Sequence, residues 1–227
     1  MFNQKELVLF DLDGTLVDTV PDLTTAIDTM QAALGLPPHG EDKVRLWVGN
    51  GMDRLVRRAL TNDPDGEPDA ALYARGRALF MEAYAERPCE KSRFYPGVEA
   101  ILDHLKASGY KLGCITNKNS RFTETLLRIL GIHDDFAIVL SGDTLARRKP
   151  DPLPLLHAGE KLGVSPERML MVGDSLTDVR AARAAGVDVV CVSYGYNQGS
   201  DIRDAVPDRI VDSLTELIGA LPPAVAA

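Results

Sequence analysis

The chain has 227 residues, of which 45% are hydrophobic and 26% are charged, and its formal net charge is −8. A chain of this length and composition can bury a substantial core without disulfides or a structural metal. The acidic balance argues against a nucleic-acid partner, which usually requires a basic face. No run approaches the ~18 apolar residues of a membrane span, and three widely spaced cysteines fit a reducing compartment. We therefore expect a cytoplasmic protein without a membrane partner.

The first predicted element is a buried strand at residues 7–10, which ends in the turn Asp11-Leu-Asp13-Gly. Residues 19–91 then have only helical signals. An amphipathic stripe runs from 20 to 34, a second helix begins near residue 55, and a third covers 70–84. These signals predict a helical cap at 19–91, inserted into a core made of residues 1–18 and 92–227.

The remaining core alternates predicted strands with predicted helices. Apolar runs occur at 112–116, 136–140, 169–172 and 189–192. Glycines that can end the preceding helices come shortly before these runs, at positions 109, 131, 163 and 186. Because the strands are almost uniformly apolar, we expect a parallel sheet covered on both faces. The predicted fold is therefore α/β, a Rossmann-like parallel sheet in a three-layer α/β/α core with an inserted α-helical cap domain.

Polar motifs follow four of these strands, at the edge where α/β sheets bind their ligands. The residues of interest are Asp11, Asp13, Thr116, Asn117, Lys149, Asp174 and Asp178. Crowded carboxylates repel one another, so we expect a divalent cation among them, and Mg²⁺ prefers oxygen ligands. Together with a fixed lysine, this set meets the needs of phosphoryl transfer to a carboxylate nucleophile.

The ordered motifs DLDGT, TNK, KP and GDSLTD resemble those of the haloacid dehalogenase superfamily, and the resemblance covers essentially the whole chain. It implies that Asp11 attacks phosphorus and forms an aspartyl-phosphate. It also implies that Asp13 protonates the leaving oxygen and then activates the water that cleaves this intermediate. The expected activity is that of a Mg²⁺-dependent phosphatase acting on a small phosphomonoester.

The same resemblance implies the binding roles. Thr116 and the Asn117 backbone would hold the transferred phosphoryl group, and Lys149 would steady both nucleophile and phosphate. Mg²⁺ would be held by Asp11, by the backbone carbonyl of Asp13 and by Asp174. Asp178 would support the waters around the metal from outside.

Two stretches, LWVGNGMDRLVRRAL in the cap and SYGYNQGSDI near the C-terminus, are similar to the bacterial phosphoglycolate phosphatases. This similarity implies 2-phosphoglycolate as the substrate. A cap turn containing Asn50 and Gly51 opens a predicted helix, so its backbone N–H groups are candidates for binding the substrate carboxylate. The arginines that follow, Arg54, Arg57 and Arg58, are expected to form a solvated face.

Several alternatives stay open at this stage. A phosphatase for a sugar phosphate or pyrophosphate, or a phosphomutase of the same superfamily, would keep the same motifs. A 2-haloacid dehalogenase is disfavoured because it dispenses with the acid at Asp13. A phosphonoacetaldehyde hydrolase would need a Schiff-base lysine in the cap, where no motif indicates one. A catalytically silent binding protein is disfavoured because every expected catalytic side chain is present. The sequence is compatible with a monomer or a homodimer.

Overall fold

The computed structural model describes residues 2 and 4–222. The described residues contain eight strands: β1 (Leu7–Phe10), β2 (Val17–Asp18), β3 (Arg93–Phe94), β4 (Lys111–Ile115), β5 (Ile138–Leu140), β6 (Met169–Gly173), β7 (Asp188–Val192) and β8 (Arg209–Val211). Six of them form a parallel sheet in the order β5-β4-β1-β6-β7-β8. The first strand of the chain therefore lies in the middle of the sheet, with neighbours on both sides.

Eight α-helices accompany these strands in the same part of the chain: α1 (Val20–Ala33), α2 (Glu41–Arg45), α3 (Met52–Thr61), α4 (Ala70–Glu86), α5 (Val98–Ala107), α6 (Ser120–Ile129), α7 (Leu153–Leu162) and α8 (Leu176–Ala185). Helices α1 to α4 all fall between β2 and β3. Among the described residues, no helix combines the length and the apolar character needed to cross a bilayer.

Both faces of the sheet are buried, as the uniformly apolar strands predict. Side chains alternate along a strand, so Val8 and Phe10 join one apolar cluster whereas Leu7 and Leu9 join the other. Helices α5 and α6 cover the first face, and helices α7 and α8 cover the second. The predicted three-layer α/β/α core is confirmed.

A third apolar cluster holds the cap together. Helices α1, α3 and α4 contribute most of it, including Ile27, Val56 and Phe80. Two side chains of the core, Phe122 at the start of α6 and Tyr196 after β7, also belong to this cluster. The cap therefore packs directly on the edge of the core from which the predicted motifs project.

The two chain segments that connect the core to the cap run side by side. Strands β2 and β3 pair antiparallel, with Val17 opposite Phe94. The second of these segments is also fastened to α1, because the buried carboxylate of Asp22 accepts hydrogen bonds from the backbone N–H groups of Lys91 and Ser92. The two connecting segments thus form one narrow, hydrogen-bonded link between the cap and the core.

The structure differs from the predicted elements in several places, including helix α3, which begins at Met52 rather than near residue 55, and the two-residue strands β2 and β3, which have no predicted counterpart. Strand β5 begins at Ile138 rather than Phe136, because His133–Asp135 form a turn of 3₁₀-helix just before it. Strand β8 and helix α2 are additional elements, each too short to produce a periodic pattern. None of these differences moves a strand that carries a predicted motif.

The arginine cluster on α3 is not uniformly exposed as expected. Arg54 forms ion pairs with Asp65 and Glu67 at the surface. Arg58, in contrast, is only 7% exposed and donates hydrogen bonds to the carbonyl oxygens of Trp47, at 2.7 Å, and Pro64, at 2.9 Å. The prediction of a solvated face was wrong for Arg58, because this side chain ties α3 to the loops on either side of it.

We expect Arg58→Ala to lower the free energy of unfolding by about 2 kcal/mol, because carbonyl oxygens lose their donor and the packed stem is removed. The matched variant Arg54→Ala removes only exposed ion pairs and should change this free energy by less than about 1 kcal/mol. Urea denaturation of both variants measures the difference. Equal losses in the two variants would contradict a structural role for Arg58.

Candidate active site

The predicted motifs meet at the carboxyl edge of the sheet. Strand β1 is aligned so that Phe10 lies opposite both Cys114 and Val172, which brings the residues after β1, β4 and β6 to the same edge. Asp11, Thr116 and Asp174 are the first residues after these three strands. Each of these three residues is less than 10% exposed, so the polar groups at this edge of the sheet are buried.

Lys149 is the cation at the centre of this site. Its side chain is 1% exposed, and its Nζ lies 3.1 Å from Asp11 Oδ1 and 2.6 Å from Asp178 Oδ1. Burial lowers the pKa of Lys149, but the charges of Asp11 and Asp178 outweigh it and raise this pKa above the ordinary lysine value. The amino group is therefore a permanent positive charge between two buried carboxylates.

The Asp174 carboxylate accepts hydrogen bonds from two donors, and the backbone of two glycines packs closely against it. Its Oδ1 accepts from the Thr15 hydroxyl at 3.1 Å, and its Oδ2 accepts from the Tyr196 N–H at 2.7 Å. A Cβ added at Gly14 or Gly195 would lie 2.4 or 2.5 Å from Asp174 Oδ2, closer than any ordinary contact. Gly14 also has φ +87°, which favours glycine. The backbone can approach this carboxylate only because both positions lack a side chain.

Three buried carboxylates form a cluster. Asp11, Asp174 and Asp178 each offer an oxygen atom, and these atoms lie within 4.8 Å of one another. Burial raises the pKa of Asp11 to about 7, with Lys149 opposing the rise and Asp178 adding to it. Burial also raises the pKa of Asp174 well above its ordinary value, and Asp178 and Asp11 contribute. Lys149 alone does not compensate this charge, and an all-oxygen donor set of this kind suits a hard divalent cation.

Asp178 belongs to the cluster and also has three hydrogen-bonding partners: Lys149, Ser175 and the backbone N–H of Asp174, which donates to Oδ2 at 3.3 Å. Its Oδ1 accepts from Lys149, and its Oδ2 accepts from the N–H and hydroxyl of Ser175, at 3.1 and 2.7 Å. Ser175 and Asp178 form the capping box at the start of α8. Asp178 therefore fixes both Lys149 and the turn that carries Asp174, and its side chain is completely buried.

The Asp13 side chain is not one of the three clustered carboxylates and has its own partners. Its Oδ1 accepts hydrogen bonds from the Thr19 hydroxyl at 2.6 Å and from Lys118 Nζ at 2.9 Å. Lys118 was not assigned a role from the sequence, although it is the last residue of the TNK motif. Burial lowers its pKa, but Asp13 and Tyr84 reverse this effect, so the group is cationic. The signal for Lys118 was its position beside Thr116 and Asn117.

Thr116 and Asn117 connect this edge to the neighbouring loops. The Thr116 hydroxyl accepts from the Lys118 N–H at 3.2 Å. The Asn117 side-chain amide donates to the carbonyl oxygens of Gly49, at 3.2 Å, and Lys149, at 3.0 Å. Asn117 therefore links the core motif to the cap turn and to the lysine loop.

A cavity of about 490 Å³, including space at its open side, lies between this edge and the cap. Its core side is lined by Asp11, Asp13, Thr116, Asn117, Lys118, Asn119 and Phe122. Its cap side is lined by Leu23, Val48, Gly49, Gly51, Met52, Leu55, Phe80 and Tyr84. Gly51, the residue before α3, thus faces the site. Asn50 lines a different cavity, and its Oδ1 accepts a hydrogen bond from Gln198.

The chain is similar to a known protein family, to named proteins and to solved structures. A family model described as haloacid dehalogenase-like hydrolase matches residues 5–186. A protein of Nitrosococcus oceani named phosphoglycolate phosphatase is 54% identical over 217 residues, which cover 96% of each chain. The crystal structure of a predicted phosphoglycolate phosphatase from Haemophilus somnus has a TM-score of 0.91 at 37% identity, covering 96% of this chain and 98% of that one.

A further solved structure bears on the ligand. The crystal structure of CbbY from Rhodobacter sphaeroides, in complex with phosphate, has a TM-score of 0.74 at 29% identity. The match covers 94% of this chain and 96% of that one. A protein of this fold therefore binds phosphate in the crystal.

The raised pKa of Asp11 makes metal-free stability depend on pH. Because its folded pKa is about 7 and its ordinary value 3.8, the carboxyl destabilises the fold increasingly as pH rises between these values. We expect Asp11→Asn, which carries no charge, to gain stability relative to wild type from pH 4 to 7 in EDTA. The stability difference should level off above pH 8.

Thermal denaturation across this pH range measures that difference, and adding Mg²⁺ should reduce it. The exposed variant Asp103→Asn is the control, with a stability difference that varies little with pH. A difference for Asp11→Asn that is the same at pH 4 and pH 8 would contradict the electrostatic description of the cluster.

Proposed function

Since this chain belongs to the haloacid dehalogenase-like hydrolase family, we propose that it is a Mg²⁺-dependent phosphatase that hydrolyses 2-phosphoglycolate to glycolate and phosphate. The observation that carries the proposal is the placement of Asp11, with Lys149 and two further carboxylates beside it, on the floor of the cavity under the cap. Relatives named phosphoglycolate phosphatase, at 54% and 49% identity over most of the chain, support the substrate.

Asp11 is the proposed nucleophile. The Leu12 N–H donates to Oδ1 at 2.7 Å, and Lys149 lies against the same oxygen. These contacts orient the carboxylate and leave Oδ2 as the atom that attacks phosphorus. The new Oδ2–P bond forms while the bond from phosphorus to the glycolate oxygen breaks, which gives an aspartyl-phosphate.

Asp13 is the proposed acid and base. Thr19 and Lys118 both donate to Oδ1, so Oδ2 is the oxygen that would carry the proton. In the first step Asp13 gives this proton to the departing glycolate oxygen. In the second step it takes a proton from the water that attacks the aspartyl-phosphate, and phosphate leaves with Asp11 restored.

The transferred phosphoryl group would be held by donors on its core side. The hydroxyl of Thr116 and the backbone N–H of Asn117 lie at the end of β4, next to Asp11 on the sheet edge. The Lys149 ammonium adds a positive charge from the loop between β5 and α7. Such prearranged donors stabilise charge on the phosphoryl oxygens during transfer.

The acidic cluster fits Mg²⁺ by the chemistry of its donors. Asp11 and Asp174 would hold the ion, with the Asp13 backbone carbonyl as a third ligand, and Asp178 would orient its bound waters. The hydrogen bonds from Thr15 and Tyr196 already hold Asp174 in place for this task. When bound, Mg²⁺ would neutralise negative charge on the carboxylates and the phosphoryl group.

The cap side of the cavity favours a small leaving group. Its side chains are mostly apolar, and they include Leu23, Leu55 and Phe80. A sugar leaving group carries several hydroxyls, which would lose their hydrogen bonds to water without finding partners here. A two-carbon leaving group with one charged end requires only a few polar contacts.

A phosphate-release assay tests the function directly. We expect kcat/KM for 2-phosphoglycolate to exceed that for glucose 6-phosphate, AMP and pyrophosphate by at least about 100-fold, since each missing contact to a buried polar group weakens binding. EDTA should abolish turnover, and added Mg²⁺ should restore it. Another substrate at the head of this panel would contradict the proposed substrate, and full activity in EDTA would contradict the metal requirement.

A further inference from the structure

The Tyr84 hydroxyl is a buried polar group without a hydrogen-bond partner. Tyr84 lies near the end of α4, is 1% exposed and lines the cavity from the cap side. Among the described residues, no group meets hydrogen-bond geometry with this hydroxyl, although the Lys118 ammonium is near enough to lower its pKa. A buried hydroxyl left unpaired lowers the stability of the fold, so its presence here calls for a function.

The ring of Tyr84 is fixed by its neighbours. Phe80 stacks beside it with ring centroids 5.7 Å apart, and Phe122 of α6 meets it edge-on at 4.6 Å. The Lys118 ammonium lies 5.0 Å from the ring centroid. Tyr84 therefore has a defined position although its hydroxyl contributes no hydrogen bond within the protein.

Tyr84 also lies next to the groups that act on the leaving oxygen. Lys118 contacts the Tyr84 ring and donates to Asp13, the proposed acid. In the proposed reaction the phosphoryl group is on the Asp11 side of the cavity, so the leaving group extends past Asp13 towards the cap. Tyr84 lies on that path, and its hydroxyl is one of few polar groups among the cap side chains that line the cavity.

We propose that the Tyr84 hydroxyl donates a hydrogen bond to the carboxylate of the leaving group and so determines specificity for it. The inference rests on the proposed hydrolysis of 2-phosphoglycolate and assigns a cap residue to the recognition of its non-reacting end. The Lys118 ammonium supplies positive charge beside this bond. Together they replace the water that a small carboxylate loses when it enters a mostly apolar pocket.

The protonation state of the Tyr84 hydroxyl is that of a hydrogen-bond donor. Burial raises the pKa of Tyr84 to about 12, with Lys118 opposing the rise and Asp13 adding to it. The hydroxyl therefore keeps its proton at neutral pH, and a carboxylate oxygen is the complementary acceptor.

Tyr84→Phe tests the inference, because it removes the hydroxyl and keeps the packed ring. Selectivity is measured as the ratio of kcat/KM for 2-phosphoglycolate to that for ethyl phosphate, which has a methyl group in place of the carboxylate. We expect this ratio to fall at least about tenfold, as the loss of a hydrogen bond to a charged group implies. Tyr73→Phe, on the same helix but outside the cavity lining, should keep the wild-type ratio.

Two further measurements separate recognition from folding. Tyr84→Phe should not lower the melting temperature, because the hydroxyl has no partner to lose within the protein. In an Asp11→Asn background, calorimetry should show that Tyr84→Phe weakens the binding of 2-phosphoglycolate at least about tenfold.

The outcomes are distinguishable. Wild type that prefers 2-phosphoglycolate, together with a Tyr84→Phe variant that keeps both its selectivity and its affinity, would overturn the role of Tyr84 alone. Wild type without any preference for 2-phosphoglycolate over ethyl phosphate would overturn the proposed substrate, and the role of Tyr84 with it.

Discussion

The site depends on holding several like charges together in a buried place. Asp11, Asp174 and Asp178 lie close to one another, and burial raises the pKa of the first two. Such an arrangement is unfavourable unless positive charge is supplied. Lys149 provides one fixed charge, and the oxygen donors suit a divalent cation that would provide more. The electrostatic strain of the metal-free site and the proposed affinity for a cation and a phosphate would thus have one cause.

The folding free energy of the sheet and its apolar clusters keeps these carboxylates in place. Parallel strands aligned in register bring Asp11, Thr116 and Asp174 to one edge, and the apolar clusters on both faces make the strands rigid. The close packing of Gly14 and Gly195 against Asp174 then fixes the carboxylate itself. The cap adds the opposite wall of the cavity, so in the proposed function the chemistry belongs to the core and the choice of leaving group to the cap.

The sequence predicted the residues whose position follows from a strand end. Asp11 and Asp174 come directly after apolar runs, so their meeting at one edge follows from a parallel sheet. The contacts of Lys118 and Tyr84 were not predictable from the sequence, because they depend on how the cap packs against the core. Arg58 was misjudged for a similar reason: its neighbours Trp47 and Pro64 come from loops whose path has no periodic signal. Packing between segments that are distant in the sequence is what local patterns leave undetermined.

The central claim is that Asp11 carries the phosphoryl group during turnover, and the most direct measurement is acid quenching within the first turnover followed by peptide mapping by mass spectrometry. With 2-phosphoglycolate and Mg²⁺, borohydride should reduce the acyl phosphate at Asp11 to an alcohol with release of phosphate, so that the peptide containing Asp11 carries homoserine in place of this aspartate. The amount trapped at successive quench times should fall as turnover ends. Turnover without any modification of Asp11, or with the phosphoryl group on another residue, would contradict the claim.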